Sequence, residues 1–192
     1  HITSLPEQKL SQGYRFVDWL KEKGFSYWQL LPLTPPDEYR SPYASPSAFA
    51  GWDDLTKSTQ SHAMDDEAHW LEDWALYCAI KDDQNGKPWY EWPDSLKNRN
   101  EEALAPYQKK LEPYLQAQRS FNTEWQELRL YANANGVRVI GDVPIFIAHD
   151  SADVWAHREL FQLDDDGYPT FVAGVPPDYF SETGQVWETV LY

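Results

Sequence analysis

Cysteine is nearly missing from this chain, and a lone Cys78 rules out an internal disulfide. Cys78 lies in the apolar stretch Trp74-Ala75-Leu76-Tyr77-Cys78-Ala79-Ile80, with no His and Asn set beside it by the sequence, so it reads as an inert packed thiol. Basic residues are scarce as well. Sixteen stand against 31 acidic ones, a formal charge of −15 that repels nucleic acid and anionic membrane surfaces, so neither is expected as a partner. Long apolar runs are absent: Val143-Pro144-Ile145-Phe146-Ile147-Ala148 falls far short of a membrane span. The N-terminus has no charged-then-apolar signal pattern, and a cytoplasmic location is expected. His62, His69 and His157 lack metal-ligand spacing and read as surface or packing residues, and there is no phosphate-binding glycine loop. Neither a metal nor a cofactor is implied.

Aromatic residues are what the chain has in excess. Ten Trp, twelve Tyr and eight Phe bring the aromatic share to 16%, although Leu, Ile and Val fill cores at less cost in side-chain entropy. Rings with a polar tip suit sugars, which present an apolar face of axial hydrogens ringed by hydroxyls; ordinary core aromatics would give the same composition. The run GVPPDYFSETGQVW, Gly174 to Trp187, concentrates the question. Consecutive prolines remove backbone donors, and Ser181-Glu182-Thr183-Gly184 continues with turn chemistry, so the run reads as a loop. Its Tyr179, Phe180 and Trp187 either tuck under it or face a ligand.

Along the chain, Gln12 to Lys23 has the apolar spacing of an amphipathic helix closed by Gly24. Phe25 to Leu33 reads as a strand buried on both faces, and Thr34 to Gly51 as a second aromatic loop. His69 to Asp83 and Asn100 to Ala134 read as helices, the second with Phe121, Trp125, Leu128 and Ala132 on one face and Gly136 at its end. Lys87 to Pro93 interrupts them. Val137 to Ile147 is the clearest strand, His1 to Leu5 a further one, and Asp150 to Asp153 opens a short helix with Asp150 as its expected N-cap. Gln162 to Val172, with Asp164 to Gly167 at its tip, reads as a hairpin turn rather than a calcium loop. Buried strands followed by long loops and helices are the order of βα units, whose active sites gather at the C-terminal ends of the strands. A closed eight-stranded barrel takes about 250 residues. At 192 residues the chain is too short to close one.

Val139 to Trp155 (VIGDVPIFIAHDSADVW) and the stretch from Glu159 to Trp187 resemble the amylomaltases, the 4-alpha-glucanotransferases also called disproportionating enzymes. Gln29 to Leu33 (QLLPL), Ser41 to Gly51 (SPYASPSAFAG) and Lys87 to Pro93 (KPWYEWP) are similar to further parts of the family. Three features depart from it. The glycine-rich segment usual after the TSLP motif is absent after Pro6, the stretch between Gly51 and His69 is short, and DEYRSPY stands where GYGDSPY is common, with Tyr39 displaced by one position.

The resemblance implies an α/β fold, part of a (β/α)8 TIM barrel of the alpha-amylase superfamily with helical insertions. Residues 1–192 would form an incomplete N-terminal portion of one catalytic domain, with a mostly helical insertion at about 56–135. The implied reaction is retaining transfer of an alpha-1,4-glucan segment between maltooligosaccharides, which needs two carboxyl groups about 5 to 5.5 Å apart. The family's nucleophile and acid/base lie on later strands, so no catalytic residue is expected in this chain, and the remainder of the barrel is an expected partner. The implied glucan-binding residues are Ser41, Tyr43, Asp142, Asp178, Tyr179, Phe180, Gln185 and Trp187. Ser41, Tyr43 and Asp142 would line the donor sugar site. The run from Gly174 to Trp187 would cover the cleft and exclude water that competes with the acceptor.

Overall fold

Glycine and proline set most of the element boundaries. The computed structural model describes residues 1–57 and 68–192; His62 lies outside them. Helix α1 (Gly13–Glu22) buries Val17 and Leu20 and stops before Gly24, whose φ of 76° suits a residue without a side chain. Strand β1 (Tyr27–Gln29) pairs in parallel with β2 (Arg138–Ile140) in the register Tyr27↔Arg138, Trp28↔Val139, Gln29↔Ile140. The expected burial of this strand on both faces is not what forms. Trp28 is buried against Val17, Leu20 and Leu128, whereas Tyr27 is 56% exposed, because only one face of the two-stranded sheet meets helices. His1 to Leu5 is not a strand either. Ile2–Ser4 is a 3-10 turn, closed by Ser4 and Leu5 amides donating to the His1 and Ile2 carbonyls, and its Ile2 is buried.

Helix α2 (Leu71–Asp83) matches its expected span closely. The helix expected from Asn100 is broken into α4 (Glu101–Leu104), a 3-10 turn at Tyr107–Lys110, and α5 (Glu112–Ala134); the short α3 (Asp94–Lys97) precedes them. Pro106 interrupts, and Pro113 sits in the first turn of α5, where its missing N–H has no intrahelical partner to lose. Phe121, Leu128 and Ala132 are buried along α5 as their spacing requires.

The segment Val137–Ile147 is split rather than continuous. After β2, residues 141–146 carry no regular structure, and Ile147–Ala148 form β3 in a different sheet, because Gly141 and Pro144 weaken and interrupt the ladder. That sheet has the order β3-β5-β4, all antiparallel, with β4 at Val172–Val175 and β5 at Gln185–Val190. The Gly174–Trp187 run is therefore a β-hairpin with a long tip and not a plain loop, since Gly174 pairs with Val186 and Val175 with Gln185. Helix α6 (Ala152–Ala156) is capped by Ser151, whose Oγ accepts from the Val154 amide at 3.3 Å, so the expected cap at Asp150 is displaced by one residue.

Among the described residues, buried apolar side chains form two clusters. One joins Ile2, α1, β1 and the C-terminal half of α5; the other gathers Trp74, Tyr77, Trp89, Trp92, Tyr107, Leu111, Trp155 and Val190.

Candidate functional site

Parallel pairing of β1 and β2 sends the segments that follow them out at the same end, the end on which α/β proteins build sites. There the two segments meet. The Tyr43 hydroxyl donates to Asp142 Oδ2 at 2.8 Å across 99 positions of sequence, while Asp142 Oδ1 accepts from the Val143 amide at 2.9 Å. The bond to the Asp142 carboxylate, with some desolvation, raises the Tyr43 phenol above its ordinary range, so it remains a donor at neutral pH. Ser41 stands beside them, its Oγ accepting from the Tyr43 amide at 3.4 Å and its amide donating to Asp37 Oδ1 at 2.7 Å. Ser41, Tyr43 and Asp142 are thus brought together: one hydroxyl, one phenol and one carboxylate, the groups that hold sugar hydroxyls.

The remaining residues implied by the resemblance form a second group on the β4–β5 hairpin. Asp178 Oδ1 accepts from the Phe180 and Ser181 amides at 2.9 and 2.8 Å, and the Ser181 hydroxyl donates to the Gly184 carbonyl at 2.6 Å. Gly184 has φ 75°, and a Cβ there would lie 2.5 Å from the Val175 carbonyl oxygen, so glycine is required. This tight tip leaves Tyr179 and Phe180 96% and 89% exposed, their rings edge to face at 5.6 Å. At its base the Trp187 indole donates to Gln185 Oε1 at 3.1 Å. Among the described residues no hydrogen bond joins the hairpin tip to the Tyr43–Asp142 group. The two are linked through the chain, since β3 follows the Asp142 segment and pairs with β5.

Sequence reasoning missed a third cluster, which supports the other two. The Asp150 carboxylate accepts from the Tyr77 hydroxyl at 2.7 Å, from the Trp89 amide at 3.1 Å and from Lys81 Nζ. The Trp89 indole donates to the His149 carbonyl at 2.7 Å. His149 donates from Nε2 to the Gly167 carbonyl at 2.7 Å and stacks on Tyr90 at 4.2 Å with the rings 4° from parallel. Burial pushes the His149 imidazole below its ordinary pKa, so it is held neutral. These contacts account for the Lys87–Pro93 motif as a brace between α2, β3 and the Asp164–Gly167 turn. That turn is closed by Asp164 Oδ1, which accepts from the Asp166 and Tyr168 amides at 3.0 and 2.8 Å. The Cys78 thiol is pushed upward by burial, which disfavours a nucleophilic thiolate. His69 packs edge-on against Phe49, and His157 lies 3.7 Å from Asp73 and 3.4 Å from Glu159.

The family model described as 4-alpha-glucanotransferase matches residues 1–61 and 53–192. A 4-alpha-glucanotransferase of Aquifex aeolicus is 37% identical, the alignment covering all of this chain and 51% of the relative. That of Thermus thermophilus is 39% identical over all of this chain and 50% of its own length. The chloroplastic/amyloplastic 4-alpha-glucanotransferase of Arabidopsis thaliana is 36% identical over 94% of this chain and 42% of its own. In three dimensions the chain is similar to an amylomaltase from Streptococcus agalactiae in complex with acarbose: TM-score 0.89, 34% identity, all of this chain and 52% of that one. The chain spans about half the length of the curated relatives it matches. Among the described residues no helix is long and apolar enough to cross a membrane.

Proposed function

The chain belongs to the 4-alpha-glucanotransferase family, and on that premise we propose that it supplies the glucan-binding part of an enzyme that transfers alpha-1,4-glucan segments between maltooligosaccharides. Its fold is part of a (β/α)8 barrel. The observation that carries the reading is the Tyr43–Asp142 bond of 2.8 Å, formed where two parallel strands deliver their C-terminal segments.

In this reading Asp142 accepts from a hydroxyl of the donor sugar, Tyr43, whose one proton goes to Asp142, accepts from another, and Ser41 keeps the loop between them turned inward. A retaining transfer needs a carboxylate that attacks the anomeric carbon and a second carboxyl group that protonates the leaving oxygen. Later strands of the barrel supply both, and this chain contributes binding and water exclusion. The hairpin carries out the latter. Its apolar tip of Tyr179 and Phe180 would lie over the acceptor sugars, with Trp187 as a stacking face and Asp178 and Gln185 reaching hydroxyls, so that a sugar rather than water meets the glucosyl intermediate. Of the insertion expected at about 56–135, residues 58–67 lie outside the described ones, the described remainder is its helical part in this scheme, and a cytoplasmic location suits the substrate.

The test is to titrate the 192-residue chain with maltoheptaose by calorimetry and to incubate it with maltotriose, separating products by chromatography. Binding without turnover is expected. A ladder of longer oligosaccharides would overturn the assignment of the catalytic carboxylates to later strands, and absence of binding would overturn the glucan-site reading.

A further inference from the structure

The segment that presents Ser41 and Tyr43 has no helix or strand between residues 34 and 52, and beside a few backbone bonds, such as the Trp52 amide to the Leu33 carbonyl at 2.8 Å, its shape depends on side chains that substitute for a ladder. Some are local: Ser47 Oγ accepts from the Phe49 and Ala50 amides, each at 3.1 Å. Others come from elsewhere, Asp153 of α6 accepting from the Ala48 amide at 3.2 Å.

The most complete support comes from α5. The carboxamide of Gln118 accepts from the Gly51 amide at 2.8 Å and donates to the Gly51 carbonyl at 3.0 Å, engaging both backbone groups of one residue as a neighbouring strand would. Gln118 is 3% exposed, so neither bond competes with bulk water. One turn along the same face, Phe121 packs so closely on Gly51 that a Cβ there would fall 2.0 Å from the ring. Gly51 is thereby fixed by Gln118 and by Phe121, eight residues after Tyr43.

We propose that Gln118 is a positioning residue of the glucan site: by clamping Gly51 it fixes the course of the 41–51 segment and so the place at which the Tyr43 hydroxyl meets Asp142. The proposal rests on the glucan-site reading for its functional meaning, and its structural content stands separately. A core glutamine that served packing alone would have no reason to match both polar groups of one backbone residue. Its loss leaves two buried backbone groups unpaired and frees the segment to sample other courses, and binding weakens by the fraction of time the binding-competent course is lost.

The experiment uses the full chain with tyrosine labelled at Cζ, and follows the Tyr43 phenol titration by NMR, the signal being identified by its loss in Tyr43→Phe. Gln118→Met keeps the volume and removes both bonds; Gln118→Glu keeps the acceptor for the Gly51 amide and loses the donor. Leu128→Ala, a fully buried position farther along α5, is the stability control. Gln118→Met should return the Tyr43 titration toward that of a free phenol and weaken maltoheptaose about tenfold, as expected when the competent fraction falls to about a tenth. Gln118→Glu should lie between. Leu128→Ala should lower the Tm and move neither quantity. The proposal is overturned by a folded Gln118→Met, or a folded Gln118→Glu should the first not fold, with an unchanged Tyr43 titration, and equally by Leu128→Ala shifting that titration as far. If the unaltered chain ignores maltoheptaose, the glucan-site reading fails while the Tyr43 titration still decides the role of Gln118.

Discussion

Trp89, Trp92 and Trp155 vanish into the interior, whereas Tyr179, Phe180 and Trp187 stand in solvent on a hairpin nearer the C-terminus. The two sets differ in what their surroundings provide. Each buried indole has a carbonyl for its N–H: His149 for Trp89 at 2.7 Å, Lys87 for Trp92 at 2.8 Å and Leu96 for Trp155 at 3.1 Å. Two also carry a guanidinium over the ring, Arg158 on Trp89 at 4.5 Å and Arg99 on Trp155 at 4.3 Å. Tyr179 and Phe180 have each other and a turn too tight to fold over them. An aromatic surplus thus has two uses in one chain: indoles brace the short irregular pieces around α2 and α6, and rings on the hairpin stay available.

The contrast breaks most severely at Trp89. Trp89→Ala should cost about 3–5 kcal/mol, since it opens a cavity and removes one of the two donors to the His149 carbonyl, the Ser151 amide being the other, and urea unfolding followed by circular dichroism measures it. Gly167→Ala attacks the same ring from outside. At φ 86°, with the new Cβ 2.7 Å from Trp89, it should cost about 1–3 kcal/mol in the same assay.

Acidity should loosen the buried region and spare the hairpin. Because burial lowers the His149 pKa in the fold, the unfolded chain binds the proton more readily, so stability is full above the ordinary imidazole range and declines as pH falls through it. Asp150 and Asp164 moderate the decline by favouring the charged ring. His149→Gln, which retains a donor for the Gly167 carbonyl, should flatten the dependence of Tm on pH between 5 and 8, the range in which an ordinary imidazole titrates (pKa about 6.5). The smallest effect on stability belongs to the tip: Tyr179→Ala and Phe180→Ala should change unfolding free energy by less than about 0.5 kcal/mol. The same variants should weaken maltoheptaose binding, read by calorimetry. A tip variant that unfolded the chain would erase the distinction between the two regions.

Local signals were legible where the physics is local. Gly24 and Gly136 mark the ends of α1 and α5, and α2 follows from its apolar content. Where the outcome depends on a distant partner, sequence reading ran short. Val137–Ile147 has strand composition throughout, yet only Arg138–Ile140 finds β1, and the rest bends away to meet β5. The hairpin was hidden because Pro176 and Pro177 dominate its appearance, although the β-branched and aromatic residues Val186, Trp187, Thr189 and Val190 have strand composition. Ser151 displaced Asp150 as cap because the Asp150 carboxylate is engaged by Tyr77, Lys81 and Trp89, none of which is its sequence neighbour. The meeting of Tyr43 and Asp142 was foreshadowed only by resemblance, and Gln118 carried no signal at all.

Helix α5 has a consequence of its own. At 23 residues it is about 34 Å long, and it contributes Leu111 at its entrance to one apolar cluster and Leu128 and Ala132 near its exit to the other. Neither cluster can come apart without fraying the rod they share, so the described parts should melt as one cooperative unit, with a single calorimetric transition and amide exchange along α5 slowed by the full free energy of unfolding.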